Sequence, residues 1–373
     1  MKKILINATN LHYGGAIQVA SSFLSELGKM NITDFDLSVW ASSDVDKNLL
    51  PEQKKALNNY KVVDTFGLKG VLSNKHFFDE FDIVFTVFGP CYYPIKGISI
   101  VGFAQPWIIY PNNDVYKLLN WSNTIKNKLK FFLQKLFFKR ADCLVVELEH
   151  VKQRLIAQHI QTADKIEIAY NTVSNIYYEA EKWRAIPILN QLNVEDTIKI
   201  GFLGRDYPHK NIGILPRVKE ILLQKYKMQV SFYVTLNEQE WQARDADFRQ
   251  SIYNVGSLDV VQCPYFYQEM DAMIFPSLLE CFSATPLETM VMQKKLFASD
   301  RAFVRDICKD YASYFDPNDA DSIAKVIYEY YANMNEKLYS EQLKEAQHYA
   351  MNFSNASRRA EKYFSIIRRY LTK

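Results

Sequence analysis

Short apolar segments alternate with helical patterns along most of this chain, and this alternation limits the possible folds more than any other feature. In the first half the segments lie at Ile4–Ile6, Asp36–Trp40, Tyr60–Thr65, Asp82–Val87, Ile98–Phe103, Asp142–Val146 and Ile166–Ala169. Strands that are joined through helices run parallel, and a parallel sheet is covered by helices on both faces. The alternation therefore predicts an α/β fold with a parallel, doubly wound sheet.

A second alternating series begins at Thr197, after a stretch in which the periodicity fades. Its apolar segments lie at Ile198–Leu203, Gln229–Thr235, Tyr253–Gly256, Ala272–Phe275, Leu296–Ser299 and Ser313–Phe315, and helical patterns fill the remainder. We therefore predict two Rossmann-like domains, 1–175 and 196–352, with a connection at 176–195. A final helix, 353–373, can pack back on the first domain. A length of 373 residues agrees with two domains.

Composition argues against several classes of protein. The net charge of +3, from 45 basic and 42 acidic side chains, does not favour nucleic acid as a partner. The five cysteines are scattered without metal-binding spacing, which is typical of reduced thiols. The apolar run at the N-terminus is too short for a signal peptide, and no run approaches the length of a membrane span. We expect a cytoplasmic protein, which can be peripheral on the inner face of the plasma membrane.

Asp271–Gln293 combines a strand, a turn and a helix with two carboxylates. Glu280 falls in the turn and Glu288 at the start of the helix, and Ser283-Ala284-Thr285 lies between them. Backbone N–H groups at a helix start suit a phosphate, whereas flanking carboxylates accept hydrogen bonds from neutral hydroxyls. The stretch predicts a ligand with hydroxyls on both sides of a phosphate, such as a nucleotide sugar. The alternative is two glutamates on a solvated helix face.

Two other loops between a strand and a helix are candidates for ligand contact. Gly204 permits close backbone approach, and Arg205 and Lys210 bring two cations that can bind a diphosphate. A solvated charged loop is the alternative. Near the start of the chain, Gly14 and Gly15 can either let a ligand approach the backbone or form a tight turn.

The aromatic loop from Phe103 to Pro111 follows a predicted strand. Ligands in open α/β sheets bind beyond the carboxyl ends of the strands, so Gln105 and Trp107 are candidates for contact with a second substrate. Packing of the aromatic loop accounts equally well for Trp107.

Val115–Lys139 is rich in lysine and contains no acidic residue. On a helical wheel one apolar stripe, predicted to face the core, is formed by Ile125, Leu129, Phe132 and Leu136. The opposite side is predicted to be a membrane surface, with exposed aromatics between lysines: Lys128, Phe131, Lys135, Phe138 and Lys139. A solvated basic helix, packing of the phenylalanines under a loop, and a nucleic-acid face remain alternatives.

Three motifs follow strands in a fixed order: the Gly-Gly loop, G-R-x4-K and P-S-x2-E-x7-E. With RADCLVVELEHVKQRL and VGSLD, this order resembles the retaining GT-B glycosyltransferases of the large family four, and FGPCYYP and GFAQPW are similar to its capsule and O-antigen members. The resemblance implies two domains facing a cleft. It also implies transfer of a sugar, with retention of configuration, from a nucleotide diphosphate sugar to a saccharide or lipid-linked acceptor in surface polysaccharide synthesis.

The resemblance also assigns roles by position. Glu280 would contact hydroxyls of the donor sugar, Glu288 would hold the ribose, and Arg205 and Lys210 would neutralise the diphosphate. The remaining donor-binding positions are Gly14, Gly15, Gly204 and the backbone N–H groups of Phe282, Ser283 and Ala284.

Departures from the family pattern leave alternatives open. Cys281-Phe282-Ser283 replaces the usual Gly-Phe-Gly, and Gln105 stands where many members carry a histidine. Gln105 cannot act as a general base, so we expect a mechanism that needs none, and no cofactor. The D-x-D pairs are expected to be structural rather than metal ligands: Asp44/Asp46, Asp245/Asp247 and Asp319/Asp321. A sugar-nucleotide epimerase and a non-catalytic binding protein are the other two function classes.

Overall fold

Strands and helices alternate through the computed structural model, which describes residues 1–71, 74–192 and 196–372. The chain forms two compact units. The first unit comprises Met1–Pro111, Trp121–Thr172 and the chain from Ser354 onward, and the second comprises Asn112–Asn120 and Val173–Phe353. Most of the predicted connection thus belongs to the second unit, and its end, 193–195, lies outside the described residues.

The first unit contains a seven-stranded parallel sheet in the order β3-β2-β1-β4-β5-β6-β7. The strands are β1 (Lys3–Ala8), β2 (Asp36–Ala41), β3 (Tyr60–Val62), β4 (Ile83–Thr86), β5 (Ile98–Gly102), β6 (Cys143–Val146) and β7 (Ile166–Ile168). The helices between them are α1 (Gly15–Leu27), α2 (Ser43–Asp46), α3 (Pro51–Lys55), α4 (Pro106–Ile109), α5 (Trp121–Phe138) and α6 (Glu149–Ala157). Strands β4 and β6 are buried at every position, as continuous apolar runs in a covered parallel sheet should be.

The second unit contains a six-stranded parallel sheet in the order β10-β9-β8-β11-β12-β13. The strands are β8 (Ile198–Phe202), β9 (Val230–Val234), β10 (Tyr253–Asn254), β11 (Ala272–Phe275), β12 (Lys295–Ser299) and β13 (Ser313–Phe315). The helices are α7 (Pro187–Gln191), α8 (Leu215–Tyr226), α9 (Glu238–Gln242), α10 (Ala246–Ser251), α11 (Cys263–Glu269), α12 (Thr285–Val291), α13 (Ala302–Cys308), α14 (Ala320–Ala332) and α15 (Glu336–Phe353). The prediction of two Rossmann-like parallel-sheet domains is confirmed.

The last helix, α16 (Ala356–Leu371), packs on the first unit. Its Tyr363 ring lies edge-on to Phe23 of α1, with 4.9 Å between the ring centroids, and Phe364 and Ile367 are fully buried in the same core. The apolar face of this helix therefore completes the core of the first unit.

Each sheet has a position where the strand order reverses. In the first unit β1 lies between β2 and β4, and in the second β8 lies between β9 and β11. Ala272 of β11 pairs with Ile200 of β8, so the loops that follow these two strands leave the same edge of the sheet side by side. Ligands of open α/β sheets bind at such reversal points, beyond the carboxyl ends of the strands.

Candidate functional site

The loops after β8 and β11 are joined by a backbone hydrogen bond. The N–H of Leu278 donates to the carbonyl oxygen of His209, with 2.7 Å between the two atoms. This bond fixes the position of the G-R-x4-K loop relative to the turn that carries Glu280. Two motifs that lie about 70 residues apart in the sequence thus form one surface in the second unit.

Lys210 and Glu280 form a close ion pair at this surface. Lys210 Nζ lies 2.6 Å from Glu280 Oε1, and the two side chains are only 14% and 13% exposed. The ammonium also lies 5.3 Å from the centroid of the Phe275 ring, at the end of β11. The carboxylate and the aromatic ring fix the position of the ammonium, which has three N–H donors and can therefore donate to a further acceptor.

His209 lies beside this ion pair but is not part of it. Its Nε2 is 3.9 Å from Glu280 Oε1, and its ring stacks on Tyr207 with 5.5 Å between the centroids. Burial lowers the pKa of His209, Glu280 opposes that shift, and Lys210 adds to it, with a net pKa below the ordinary value. His209 is therefore neutral near pH 7, and Lys210 is the cation that faces Glu280.

Glu288 lies in α12 and is held by two tyrosines. Tyr267 of α11 donates a hydrogen bond to Glu288 Oε2 over 2.8 Å, and Tyr177 also bonds to this carboxylate. Burial raises the pKa of Glu288, and the bonds from both tyrosines and the charge of Lys210 oppose the shift without cancelling it. The positive charge of Lys210 thus favours the ionised form of Glu288, in addition to its direct ion pair with Glu280.

The turn between these carboxylates offers backbone donors. Phe282, Ser283 and Ala284 are partly buried, and within the described ranges no backbone acceptor is hydrogen-bonded to their N–H groups. Helix α12 has only seven residues, so its dipole contributes little. The N–H groups themselves, beside Lys210, provide the positive potential in which an anion can bind.

Arg205 has a different partner from Lys210. Its Nε donates to Glu240 Oε1 over 2.7 Å, the backbone N–H of Asp206 donates to the same oxygen over 3.2 Å, and the Arg205 side chain is 58% exposed. Burial alone would raise the pKa of Glu240. The hydrogen bonds from Arg205 and from backbone N–H groups lower that pKa by more, so the net pKa lies below its ordinary value. The structure thus brings Lys210 to Glu280, and Arg205 to Glu240.

Two features favour glycine at position 204. Its φ of +156° lies outside the range that other residues usually adopt, and a Cβ at this position would lie 3.2 Å from the Phe202 ring. Its N–H donates to Thr235 Oγ1 over 3.1 Å, which fixes the start of the loop.

The Gly-Gly loop follows β1 in the first unit. Gly14 has a φ of +71°, and α1 begins at Gly15. Apart from chain neighbours and the backbone of α1, no heavy atom in the described part of the chain lies within 4 Å of the position that a Cβ would take at either glycine. The turn needs Gly14 for its conformation, and the space beside both glycines is open to a ligand.

Gln105 and Trp107 lie at the start of α4 in the first unit. Gln105 is the N-cap residue of this helix, and the Trp107 ring stacks on Phe131 of α5 with 5.4 Å between centroids and 4° between planes. Packing therefore accounts for Trp107, which was one of the two interpretations of the sequence. Contact of Gln105 with an acceptor stays a prediction.

The predicted orientation of α5 is wrong. Phe131, Gln134 and Phe138 are its buried side chains, and Phe138 packs edge-on against Phe103 with 4.7 Å between centroids. The stripe that was expected to face the core is exposed instead: Ile125, Leu129, Phe132 and Leu136. Phe131 and Phe138 therefore cannot form a membrane surface with Lys128, Lys135 and Lys139. The reason is that Trp107 and Phe103 provide aromatic partners for only one of the two apolar stripes.

The D-x-D pairs have structural partners. Asp245 and Asp319 are the N-caps of α10 and α14, where they accept hydrogen bonds from backbone N–H groups. Asp46 accepts from Lys54 and from Tyr60, each over 2.8 Å. Among the described residues no group of three His, Cys, Asp or Glu side chains could hold a metal ion, and no helix is long and apolar enough to cross a bilayer.

Sequence reasoning missed the residues that orient the predicted site. Tyr177 and Tyr267 lie far from Glu288 in the sequence, and no local pattern points to their contact with it. Glu240 did leave a signal, because Asn237 and Glu240 have the spacing of a capping box, and the structure contains that box at the start of α9. A carboxylate at the third position of a helix after β9 could thus have been placed near the loop after β8.

Comparison with known proteins relates the second unit to one family. Residues 188–348 match the family model described as glycosyl transferases group 1. The O-antigen chain mannosyltransferase RfbU of Salmonella typhimurium is 20% identical over 196 residues, which cover 51% of this chain and 51% of that protein. The match thus spans about half the length of the curated relatives.

Several solved structures have a similar fold over nearly the whole length of this chain. A glycosyltransferase from Rickettsia africae has a TM-score of 0.71 at 16% identity, covering 99% of this chain and 98% of its own. Anabaena HepE in complex with UDP-glucose has a TM-score of 0.69 at 13% identity, covering 98% of this chain and 99% of its own. At such low identity the likeness concerns the fold, which is the two-domain fold of GT-B glycosyltransferases.

Proposed function

We propose that the protein transfers a sugar from a nucleotide diphosphate sugar to a saccharide or lipid-linked acceptor, because residues 188–348 match the family model described as glycosyl transferases group 1. The observation that carries the proposal is the meeting of Lys210, Glu280 and the Phe282–Ala284 turn at the reversal point of the second sheet. Glu288 lies within the influence of the same lysine.

Lys210 and the backbone N–H groups of the turn bind the diphosphate in this proposal. The Lys210 ammonium is almost buried, so its charge is screened less by water than that of a surface lysine. When the bond between the sugar and the diphosphate breaks, negative charge develops on the phosphate oxygens, and Lys210 stabilises it.

Arg205 is the second cation for the diphosphate. Its bond to Glu240 uses Nε. Elsewhere in the described chain, no hydrogen bond or ion pair engages its two terminal nitrogens. Glu240 thus orients the side chain at the base of the guanidinium, and the terminal nitrogens remain for two phosphate oxygens.

Glu280 and Glu288 accept hydrogen bonds from hydroxyls at the two ends of the donor. A carboxylate has about four acceptor positions. Lys210 pairs with Oε1 of Glu280, and among the described residues no hydrogen bond is made to Oε2, which is therefore assigned to hydroxyls of the sugar. Glu288, oriented by Tyr267 and Tyr177, is assigned to the ribose.

The transfer retains the anomeric configuration and needs no enzymic base. The acceptor oxygen bonds to the anomeric carbon on the face from which the diphosphate leaves, the bond from that carbon to the phosphate oxygen breaks, and the acceptor's proton moves to the departing phosphate. A double displacement would instead require a carboxylate positioned as nucleophile, and we assign none. The similarity to an O-antigen mannosyltransferase supports a step in bacterial surface polysaccharide synthesis.

A panel of nucleotide diphosphate sugars tests the proposal. The purified chain is incubated with each donor, with and without a lipid-linked saccharide, and free nucleoside diphosphate is measured. We expect one donor to release its nucleoside diphosphate in an acceptor-dependent way, and nuclear magnetic resonance should find the donor's anomeric configuration in the product. An altered sugar without diphosphate release would indicate an epimerase, and binding without any change would indicate a non-catalytic protein. Either result would overturn the proposal.

A further inference from the structure

Helix α5 exposes a continuous apolar surface. Its side chains are between 42% and 80% exposed: Trp121, Ile125, Leu129, Phe132, Leu133 and Leu136. With about 3.6 residues per turn, these six positions fall within about 120° of the helix circumference, opposite the buried Phe131, Gln134 and Phe138. We call this surface the outer face of α5. A water-exposed patch of this kind is typical of an interaction site.

Basic side chains border the outer face on both sides. By the same geometry, Lys126 and Lys130 lie along one edge, and Lys128 and Lys139 along the other. The segment from Trp121 to Arg140 contains five lysines and one arginine, and no acidic residue. The outer face is therefore an apolar stripe between two positive rows.

We propose that the outer face of α5 binds the surface of an anionic lipid bilayer. The apolar side chains would enter the boundary between headgroups and acyl chains, and the lysines would lie at the level of the anionic headgroups. Trp121, at the start of the helix, has the amphipathic ring that is favoured at such a boundary. The helix would lie along the membrane, because none of the described helices is apolar enough to cross it.

Charge decides among the possible partners. A nucleic acid would contact cations at the centre of its binding surface, whereas the centre of this face is apolar and the cations are at its edges. Two copies meeting through this face would bring four lysine rows together without a carboxylate from α5 to neutralise them. An anionic bilayer satisfies both parts of the surface, the apolar centre and the basic edges.

The inference depends on burial and charge in the first unit, and it does not depend on the proposed sugar transfer. Sedimentation with vesicles therefore tests it without measuring activity. We expect the full chain to sediment with vesicles of equimolar phosphatidylcholine and phosphatidylglycerol, to bind far less to phosphatidylcholine alone, and to be released by salt. The tryptophan fluorescence should shift to the blue with anionic vesicles, and Trp121→Phe should remove most of that shift.

Substitutions on the outer face should weaken this binding. The double variant Leu129→Ser with Phe132→Ser should lower the partition coefficient at least about tenfold, and so should the triple variant Lys126→Glu, Lys128→Glu and Lys130→Glu. Leu338→Ser is the matched control, because Leu338 is 51% exposed on α15 in the second unit, and it should bind like the wild type. Circular dichroism verifies that each variant is folded.

Four results would overturn the inference. They are equal binding by the folded double serine variant, equal binding to neutral and anionic vesicles, binding to nucleic acid but not to vesicles, and a change of oligomeric state by the double variant without lipid.

Discussion

Helices α12 and α5 show two opposite uses of apolar side chains. In α12, six of the seven residues are buried, and the seventh, Glu288, is partly buried and contacts Tyr267 and Tyr177. In α5, only three of eighteen residues are buried, and a second apolar stripe faces outward. The first helix holds one carboxylate in place within buried surroundings, and the second helix packs on its unit through one face and exposes the other.

The two helices differ in how far their apolar pattern determines which face is buried. A helix that is buried on almost every side has only one orientation for its remaining side chain. A helix with two apolar stripes can be attached through either of them, and partners far away in the sequence decide which stripe is buried. Substitution of the same kind of apolar side chain should therefore change the free energy of unfolding very differently at buried and at exposed positions.

The largest effect is expected from the buried face of α5. Phe138 is fully buried and Phe132 is 59% exposed on the same helix. Phe138→Ala should lower the free energy of unfolding by about 3–5 kcal/mol, because a buried ring leaves a cavity. Phe132→Ala should change it by no more than about 0.5 kcal/mol. Urea denaturation measures the free energy of unfolding of both variants. A larger loss in Phe132→Ala than in Phe138→Ala would support the orientation of α5 that the sequence predicted.

Basic side chains in the loop after β8 should affect turnover, whereas a basic side chain on α5 should not. Lys210→Ala and Arg205→Ala should each lower kcat about a hundredfold or more, because each removes a charge that stabilises the departing diphosphate. Lys126→Ala on α5 is the control and should turn over a soluble acceptor at the wild-type rate. Steady-state kinetics with the donor found in the panel gives the comparison. Retention of near-wild-type kcat by the first two variants would remove their assigned role.

The tyrosine partners of Glu288 should have a smaller effect. Tyr267→Phe removes the 2.8 Å bond to the carboxylate and should lower the free energy of unfolding by about 1–2 kcal/mol. It should also raise the KM for the donor, because Glu288 loses part of its orientation. Tyr328, whose ring stacks on Tyr226, provides the control variant Tyr328→Phe. An unchanged stability and KM in Tyr267→Phe would show that the bond from Tyr267 is not needed to position Glu288.

The smallest effect is a dependence on pH that burial of Glu288 should cause. Burial raises its pKa in the folded protein, so between the ordinary and the raised pKa the folded state binds more protons than the unfolded state. The contribution of Glu288 to stability is therefore full below the ordinary pKa of about 4.3 and is lost as pH rises through the raised value. Unfolding free energies of the wild type and Glu288→Gln, measured at a series of pH values, should diverge in this direction. A difference that stays constant, or that grows in favour of the wild type with pH, would contradict the account.

The local sequence pattern was sufficient to predict the positions of the strands and the order of the motifs. Each predicted apolar segment overlaps a strand of the structure, because continuous apolar runs bounded by helical patterns have few other solutions. The approach of Lys210 to Glu280 also follows from local reasoning once β8 and β11 are neighbours, since parallel neighbouring strands end at the same edge.

Contacts between distant segments could not be derived in this way. The segment 112–120 belongs to the second unit, where Asp114 accepts a hydrogen bond from Arg301 over 2.7 Å, and nothing local in the sequence indicates that partner. The pairing of Arg205 with Glu240 and of Glu288 with Tyr267 is of the same kind. The orientation of α5 depends on Trp107 and Phe103, because both rings pack against the same one of its two apolar stripes.

The affinity for a nucleoside diphosphate tests the central claim most directly. Isothermal titration calorimetry would measure the Kd of the diphosphate released in the donor assay for the wild type, for Lys210→Ala and for Lys126→Ala. The account predicts that the wild type and Lys126→Ala bind equally, and that Lys210→Ala binds at least about tenfold more weakly, as expected for loss of a bond to a charged group. Equal affinity of the wild type and Lys210→Ala would contradict it.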